Sequence, residues 1–115
     1  MNYDLIVHVD LDSRPILDLA LSNISNYLNA LTEEMFRVAL VANGPAVTLF
    51  ANPDDALRET LASLKAEGVS FKVCANALRK FGVEQASLPK ACEVVPAGVV
   101  EIVRLQRNGY AYIKP

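Results

Sequence analysis

An α/β fold built around a parallel sheet is what this chain predicts, because short β-branched runs alternate with longer segments of helical period along its whole length. The run Phe36-Arg37-Val38-Ala39-Leu40-Val41-Ala42 is apolar almost throughout, as a strand covered on both faces must be. Ahead of it, Leu17, Ala20, Leu21, Ile24, Leu28 and Leu31 recur at spacings of three and four, and so share one face of a helix. At 115 residues the sequence fits a single domain, 1–115, large enough to bury a core without disulfide or metal staples.

Leu5-Ile6-Val7-His8-Val9 reads as the first strand. The helix after it spans about 15 to 31, capped by Asp12 or Ser13 and with Pro15 in its first turn. The second strand, 36–42, is broken by Asn43-Gly44-Pro45. Asn52-Pro53-Asp54-Asp55 reads as a helix start, with a capping side chain at 52, proline at the first helical position and acids in the positive first turn. That helix turns Leu57, Leu61 and Leu64 inward and stops at Gly68, a left-handed cap. Val69-Ser70-Phe71-Lys72-Val73-Cys74 is the third strand and leads into a short helix, about 75 to 81, that Gly82 stops. Cys92-Glu93-Val94-Val95 is the fourth strand, and Pro96-Ala97-Gly98 opens a helix on which Val99, Val100, Ile102, Val103 and Leu105 are apolar. Asn108-Gly109 ends it, and Tyr110-Ala111-Tyr112-Ile113 forms a last short strand.

Composition narrows the classes of function. A hydrophobic share of 52% and a mean hydropathy of +0.24 exceed what a small monomer needs, so part of the apolar surface is expected to be hidden in a homo-oligomer. Eleven basic and thirteen acidic residues give a net charge of −2, and no basic block is present to follow a phosphate backbone. Nucleic acid is therefore not an expected partner. The apolar runs fall far short of the roughly 20 residues that span a bilayer, so no membrane association is expected. Met1-Asn2-Tyr3-Asp4 lacks the basic start of a secretory signal, which points to the cytoplasm and to two free thiols there.

In an open parallel sheet, ligands bind beyond the carboxyl ends of the strands, where loops and helix N-termini gather. Those ends carry His8 and Asp10, then Asn43 and Gly44, then Cys74 and Asn76, then Pro96 and Gly98. Cys74 is the first candidate for chemistry, because a thiol at a strand-to-helix junction meets unpaired backbone N–H groups that favour its thiolate. The Asn76 and Ala77 amides are the expected donors. Asn43, Gly44 and Gly98 offer neutral donors or close backbone approach, and His8 and Asp10 stand further back. Each residue also has a plain structural role open to it: Cys74 as a small buried hydrophobe, His8 as a satisfied rim histidine, Asp10 and Asn43-Gly44 as turn chemistry. Lys72, Arg79 and Lys80 read as a solvated charged face, and Tyr110 and Tyr112 as packing or interface residues.

One histidine and two distant cysteines supply no zinc set, and no phosphate-cradling loop, dinucleotide fingerprint or hydrolytic nucleophile motif occurs. No metal and no cofactor are expected. Cys92 begins a strand while Cys74 ends its neighbour, an offset on the order of 10 Å where a disulfide needs Cα atoms within about 7 Å. Cys92 therefore reads as a buried structural thiol.

In order and wording the segments resemble the DsrE/DsrF-like family of small sulfur-relay proteins. The resemblance is carried by Val7-His8-Val9-Asp10, the turn Asn43-Gly44-Pro45-Ala46, and the third-strand segment with Gly68-Val69, Phe71, Cys74-Ala75-Asn76 and Leu78. It continues through Val94-Val95-Pro96-Ala97-Gly98-Val99, Leu105-Gln106 and Gly109-Tyr110-Ala111-Tyr112-Ile113-Lys114-Pro115. It implies a three-layer α/β/α domain with a five-stranded parallel sheet, assembled as trimers or hexamers. It also implies that Cys74 carries sulfur as a persulfide between donor and acceptor proteins. The alternative is a non-catalytic oligomeric scaffold or small-ligand-binding module of the same fold.

Overall fold

The computed structural model describes residues 2–115, in which strands and helices alternate as β1 (Leu5–Val9), α1 (Arg14–Ala30), β2 (Val38–Ala42), α2 (Asp55–Ala66), β3 (Val69–Cys74), α3 (Ala75–Lys80), β4 (Cys92–Val95), α4 (Gly98–Arg107) and β5 (Ala111–Ile113). The five strands form one sheet in the order β4-β3-β2-β1-β5, with every neighbouring pair parallel. Register runs without a slip from Leu5 beside Val38 to Val9 beside Ala42, and from Val38 beside Val69 to Ala42 beside Val73. The sequence expectation of a parallel α/β sheet is met.

The strand order explains where the helices lie. From β1 the chain steps outward through β2 and β3 to β4, then α4 carries it back across the sheet to place β5 on the far side of β1. Crossovers between parallel strands are right-handed, so a connection that moves the opposite way must cross the opposite face. One face of the sheet accordingly packs Leu5, Val7, Val9, Val38, Leu40, Val69, Phe71 and Val73 against Leu17, Ile24, Leu57, Leu61 and Leu78 of α1, α2 and α3. The other face packs Ile6, Ala39 and Val41 against Ile102 and Leu105 of α4 alone. These are the three expected layers, with unequal outer ones.

Several element ends differ from the sequence reading. The N-cap of α2 is Asp54, whose Oδ1 accepts from the Leu57 N–H at 2.8 Å; Asn52 does not cap, and Pro53 precedes the helix. The reason is backbone conformation: Asn52 is left-handed, φ +43, whereas an N-cap is extended, and its N–H donates to the Ser87 carbonyl. Of the two caps offered for α1, Ser13 serves, accepting from the Ile16 N–H. Phe36 and Arg37 lie outside β2, the Arg37 N–H being taken by Asp4 Oδ1. Tyr110 lies outside β5 because its N–H donates to the Leu105 carbonyl at the end of α4. Asn43-Gly44-Pro45 does end β2, yet it opens a 3₁₀ segment, Gly44–Phe50, that buries Ala46, Val47 and Phe50.

Candidate functional site

The loops after β3 and β4 part to opposite faces of the sheet, since α3 packs on one side and α4 on the other. Such a parting leaves a crevice at the carboxyl ends of the strands. Here it is a cleft of about 280 Å³ lined by Asn43, Gly44, Cys74, Asn76, Ala77 and Gly98 from the expected set, with Pro45, Lys80, Phe81, Ala97 and Val99 around them. Six of the eight expected site residues are thus brought together. The apolar surround went unnoticed in sequence because Phe81 and Val99 read as ordinary helix residues.

Gly98 is what allows the close approach. A Cβ there would lie 3.0 Å from the Asn43 Cβ and 3.3 Å from the Cys74 Cβ, so only glycine lets the start of α4 settle between them. Gly44 has φ +56 and would set a Cβ 3.1 Å from the Asp10 carbonyl oxygen, which accounts for glycine at this turn. Cys74 itself closes β3 and is 6% exposed, with its accessible edge on the cleft. It is the N-cap residue of α3 but makes no side-chain capping bond, and Ala97 at the start of α4 makes none either. α3 has only six residues and so a small dipole, whereas the ten-residue α4 also opens onto the cleft.

His8 and Asp10 do not line the cleft. His8 stands one layer behind it, 9% exposed, between Asn43 and Tyr112. Asp10 forms an ion pair with Lys114, at 2.9 Å. Asn76 Oδ1 accepts from the Arg79 guanidinium, which ties the first turn of α3 to its last. The part played by Tyr112 was not legible in sequence, although its alternation with Tyr110 put it on a strand.

The reading of Lys72 as a solvated charge is corrected. Its side chain is 13% exposed, and its Nζ lies 2.6 Å from Glu101 Oε2, with Glu93 at 3.6 Å. Glu101 also accepts two hydrogen bonds from Arg104, at 2.9 and 2.6 Å. Those guanidinium bonds, with Lys72 beside them, outweigh burial and hold the Glu101 carboxyl down at about 2. The cluster fastens α4 to β3 and so fixes its N-terminus over Cys74.

The second thiol behaves differently. Cys92 lies opposite Phe71, three residues before Cys74 on the neighbouring strand, and both cysteines are free; Cys92 is half-buried rather than buried as the sequence suggested, because it opens the edge strand β4, and Cys74 is the more enclosed of the two. Burial pushes the Cys92 thiol up to about 12, against a small opposing pull from Lys65. No group of three or more His, Cys, Asp or Glu able to hold a metal occurs among the described residues. No helix among them is long and apolar enough to cross a membrane.

A three-layer α/β/α sheet with a cysteine at the crevice between diverging crossovers defines a class of small α/β proteins. The chain belongs to the DsrE/DsrF-like family, whose model matches residues 7–115. It is similar to a protein of unknown function from Methanobacterium thermoautotrophicum, at 32% identity and TM-score 0.89, covering 99% of this chain and 100% of that one. A conserved protein of unknown function from Bacteroides thetaiotaomicron shares the fold at 17% identity and TM-score 0.72, covering 97% and 94% of the two chains. No curated protein matches the sequence.

Proposed function

We propose that the chain is a sulfur-relay protein that carries sulfane sulfur as a persulfide on Cys74 and passes it to a partner thiol. The observation that carries this reading is position: Cys74 ends β3 on an open cleft at the carboxyl ends of the strands, beside Asn43 and the Gly98 start of α4, whereas Cys92 begins its strand at the other edge and is not among the residues lining that cleft. Membership of the family adds support.

The chemistry needs no redox partner. The Cys74 thiolate attacks the outer sulfur of a donor persulfide, a new S–S bond forms to Cys74, and the donor leaves as its thiolate. An acceptor thiolate then attacks the outer sulfur of Cys74–S–S–H, takes it as a new persulfide and releases Cys74 as thiolate. Atoms and charge balance in both steps. Asn43, Asn76 and the first amides of α3 and α4 are the donors available to the negative sulfur. Donor and acceptor are proteins, and the setting is the reducing cytoplasm, where the thiol stays free.

The chain also acts as a homo-oligomer in this reading, a trimer or hexamer. Val99, Val100 and Val103 form one outward row on α4, with Tyr112 and Ile113 exposed on the edge strand β5. Such surface is normally covered by another chain.

Incubation with a sulfane donor followed by peptide mass spectrometry is expected to add one sulfur to the Cys74 peptide and none to that of Cys92. An unmodified Cys74 peptide overturns the proposal. The rival reading, a scaffold that keeps Cys74 as packing, draws on the 6% exposure of this residue. It requires slow alkylation of Cys74 at every pH and no effect of Cys74→Ser on binding, whereas a relay thiol alkylates with an inflection below about 8.5.

A further inference from the structure

Behind the cleft runs a part-buried polar chain, from the half-buried Asn43 through the buried His8 to the exposed Tyr112, that sulfur transfer, as written above, does not use. His8 lies on β1 among Ile6, Val7 and Val9, where an unsatisfied imidazole would destabilise the sheet. Both ring nitrogens are satisfied: Nε2 is 2.7 Å from Asn43 Oδ1 and Nδ1 is 2.6 Å from Tyr112 Oη. A carbonyl oxygen only accepts, so Nε2–H donates to Asn43. In the neutral ring Nδ1 then accepts from the Tyr112 hydroxyl. Three separate strand ends, those of β1, β2 and β5, thus meet in one line of hydrogen bonds.

The line ends on a residue that borders the reacting sulfur. Asn43 shares the Gly98 wall of the cleft with Cys74, their Cβ atoms lying 3.0 and 3.3 Å from the same point. A carboxamide turns readily about its last bond when nothing holds it. With Oδ1 engaged by His8, Asn43 has two N–H donors left, and they make no protein hydrogen bond among the described residues. No buried polar side-chain atom there lacks a partner, so these donors open to solvent.

Resting on the sulfur-transfer reading, we propose that His8 and Tyr112 are positioning residues that hold the Asn43 carboxamide oxygen away from Cys74, so that its N–H donors serve the anionic sulfur formed there. In the delivery step the acceptor thiolate bonds to the outer sulfur as the Cys74 Sγ–S bond breaks, and the electron pair stays on Sγ. Negative charge therefore arrives at Cys74 as the transfer completes. A donor fixed in advance favours that arrival, and a carboxamide turned the other way would set an oxygen against it.

The test combines sulfur-delivery rates from persulfidated protein to a small thiol with the Asn43 side-chain amide signals in nuclear magnetic resonance spectra. In the wild-type chain, loading Cys74 with sulfur is expected to shift those amide signals. Asn43→Ala is expected to slow delivery about tenfold, the loss of one hydrogen bond to a charged group. His8→Phe is expected to slow delivery roughly three- to tenfold and to abolish the shift, and Tyr112→Phe, which leaves the donor to Asn43 but frees Nδ1 to take the ring proton instead, to slow it about two- to threefold and to reduce the shift. His8→Gln, which keeps a donor for Asn43 Oδ1, is expected to restore the rate to within about threefold of wild type.

Thermal melts verify folding, and if His8→Phe does not fold, Tyr112→Phe on the edge strand decides the matter alone. Wild-type delivery rates and a retained shift in Tyr112→Phe and His8→Phe overturn the positioning role while leaving sulfur transfer intact. A wild-type protein that takes up no sulfur overturns both.

Discussion

Two cysteines in one small sheet differ because of where each meets its strand. Cys74 ends β3 at a crevice, and Cys92 begins β4 at the opposite edge, where burial pushes its thiol up to about 12. A thiol pushed up in this way is a poor nucleophile near neutral pH, so Cys92→Ala is expected to leave both iodoacetamide labelling and sulfur loading unchanged. Cys74→Ser is expected to abolish both, read by intact-mass spectrometry. Gly98→Ala tests the geometry of the same spot. Its methyl would meet two Cβ atoms that cannot swing aside, so α4 must shift, costing about 1–3 kcal/mol of stability in denaturant titration and narrowing the cleft. Cys74 and Asn43 were legible in the sequence because each ends or directly follows an apolar run, and Gly98 because it opens the helix just past another, and strand ends gather in a parallel sheet. The bond between His8 and Tyr112 was not, since it depends on β5 lying beside β1, and no local pattern encodes which strands become neighbours.

At the scale of elements, α4 is held by an ion cluster as well as by apolar contacts, which on its face of the sheet are few. Glu101 is 9% exposed, and its carboxyl is held at about 2 by Arg104 and Lys72, against an ordinary value near 4.5. The pairing stabilises the fold fully above pH 4.5, where an unfolded chain would also be ionised. It is lost as pH falls through the folded value, because the unfolded chain takes up its proton first. Glu101→Gln is therefore expected to cost about 1–3 kcal/mol at neutral pH, solvent around Arg104 trimming the full linkage value. Chemical denaturation across pH is expected to show that difference shrinking between 4.5 and 2; a constant difference would mean the cluster does not fasten the helix. Sequence reasoning placed α4 correctly but took Lys72 for a surface charge. Its position on a strand that alternates Ser70, Lys72 and Cys74 toward one face gave no sign that an acid on α4 would cover it. The N-cap of α2 was misread for a related reason: Asn52 and Asp54 are both good capping residues, and only the left-handed backbone at Asn52 decides between them.

For the whole molecule, the reversal of direction after β4 has two consequences. It opens the crevice at Cys74, and it leaves one face of the sheet covered by a single helix whose outer row is apolar. Val99, Val100 and Val103 are 58%, 64% and 49% exposed on that row, and Val99 also lines the cleft. Self-association through α4 would therefore set a second chain beside Cys74, linking assembly to access to the cleft. Burying each of Val100 and Val103 is worth about 1.5–3 kcal/mol. A carboxylate in either place must be desolvated or expelled. Val100→Glu with Val103→Glu is accordingly expected to weaken association by on the order of 100-fold or more, while the melting temperature of the isolated fold stays close to that of wild type because neither side chain packs in the core. Sedimentation velocity checks this. The wild-type chain is expected to sediment as a trimer or hexamer and the double variant near the 12.5 kDa of one chain. A wild-type protein that is already monomeric at high concentration removes the role given to this face and leaves the cleft as it stands.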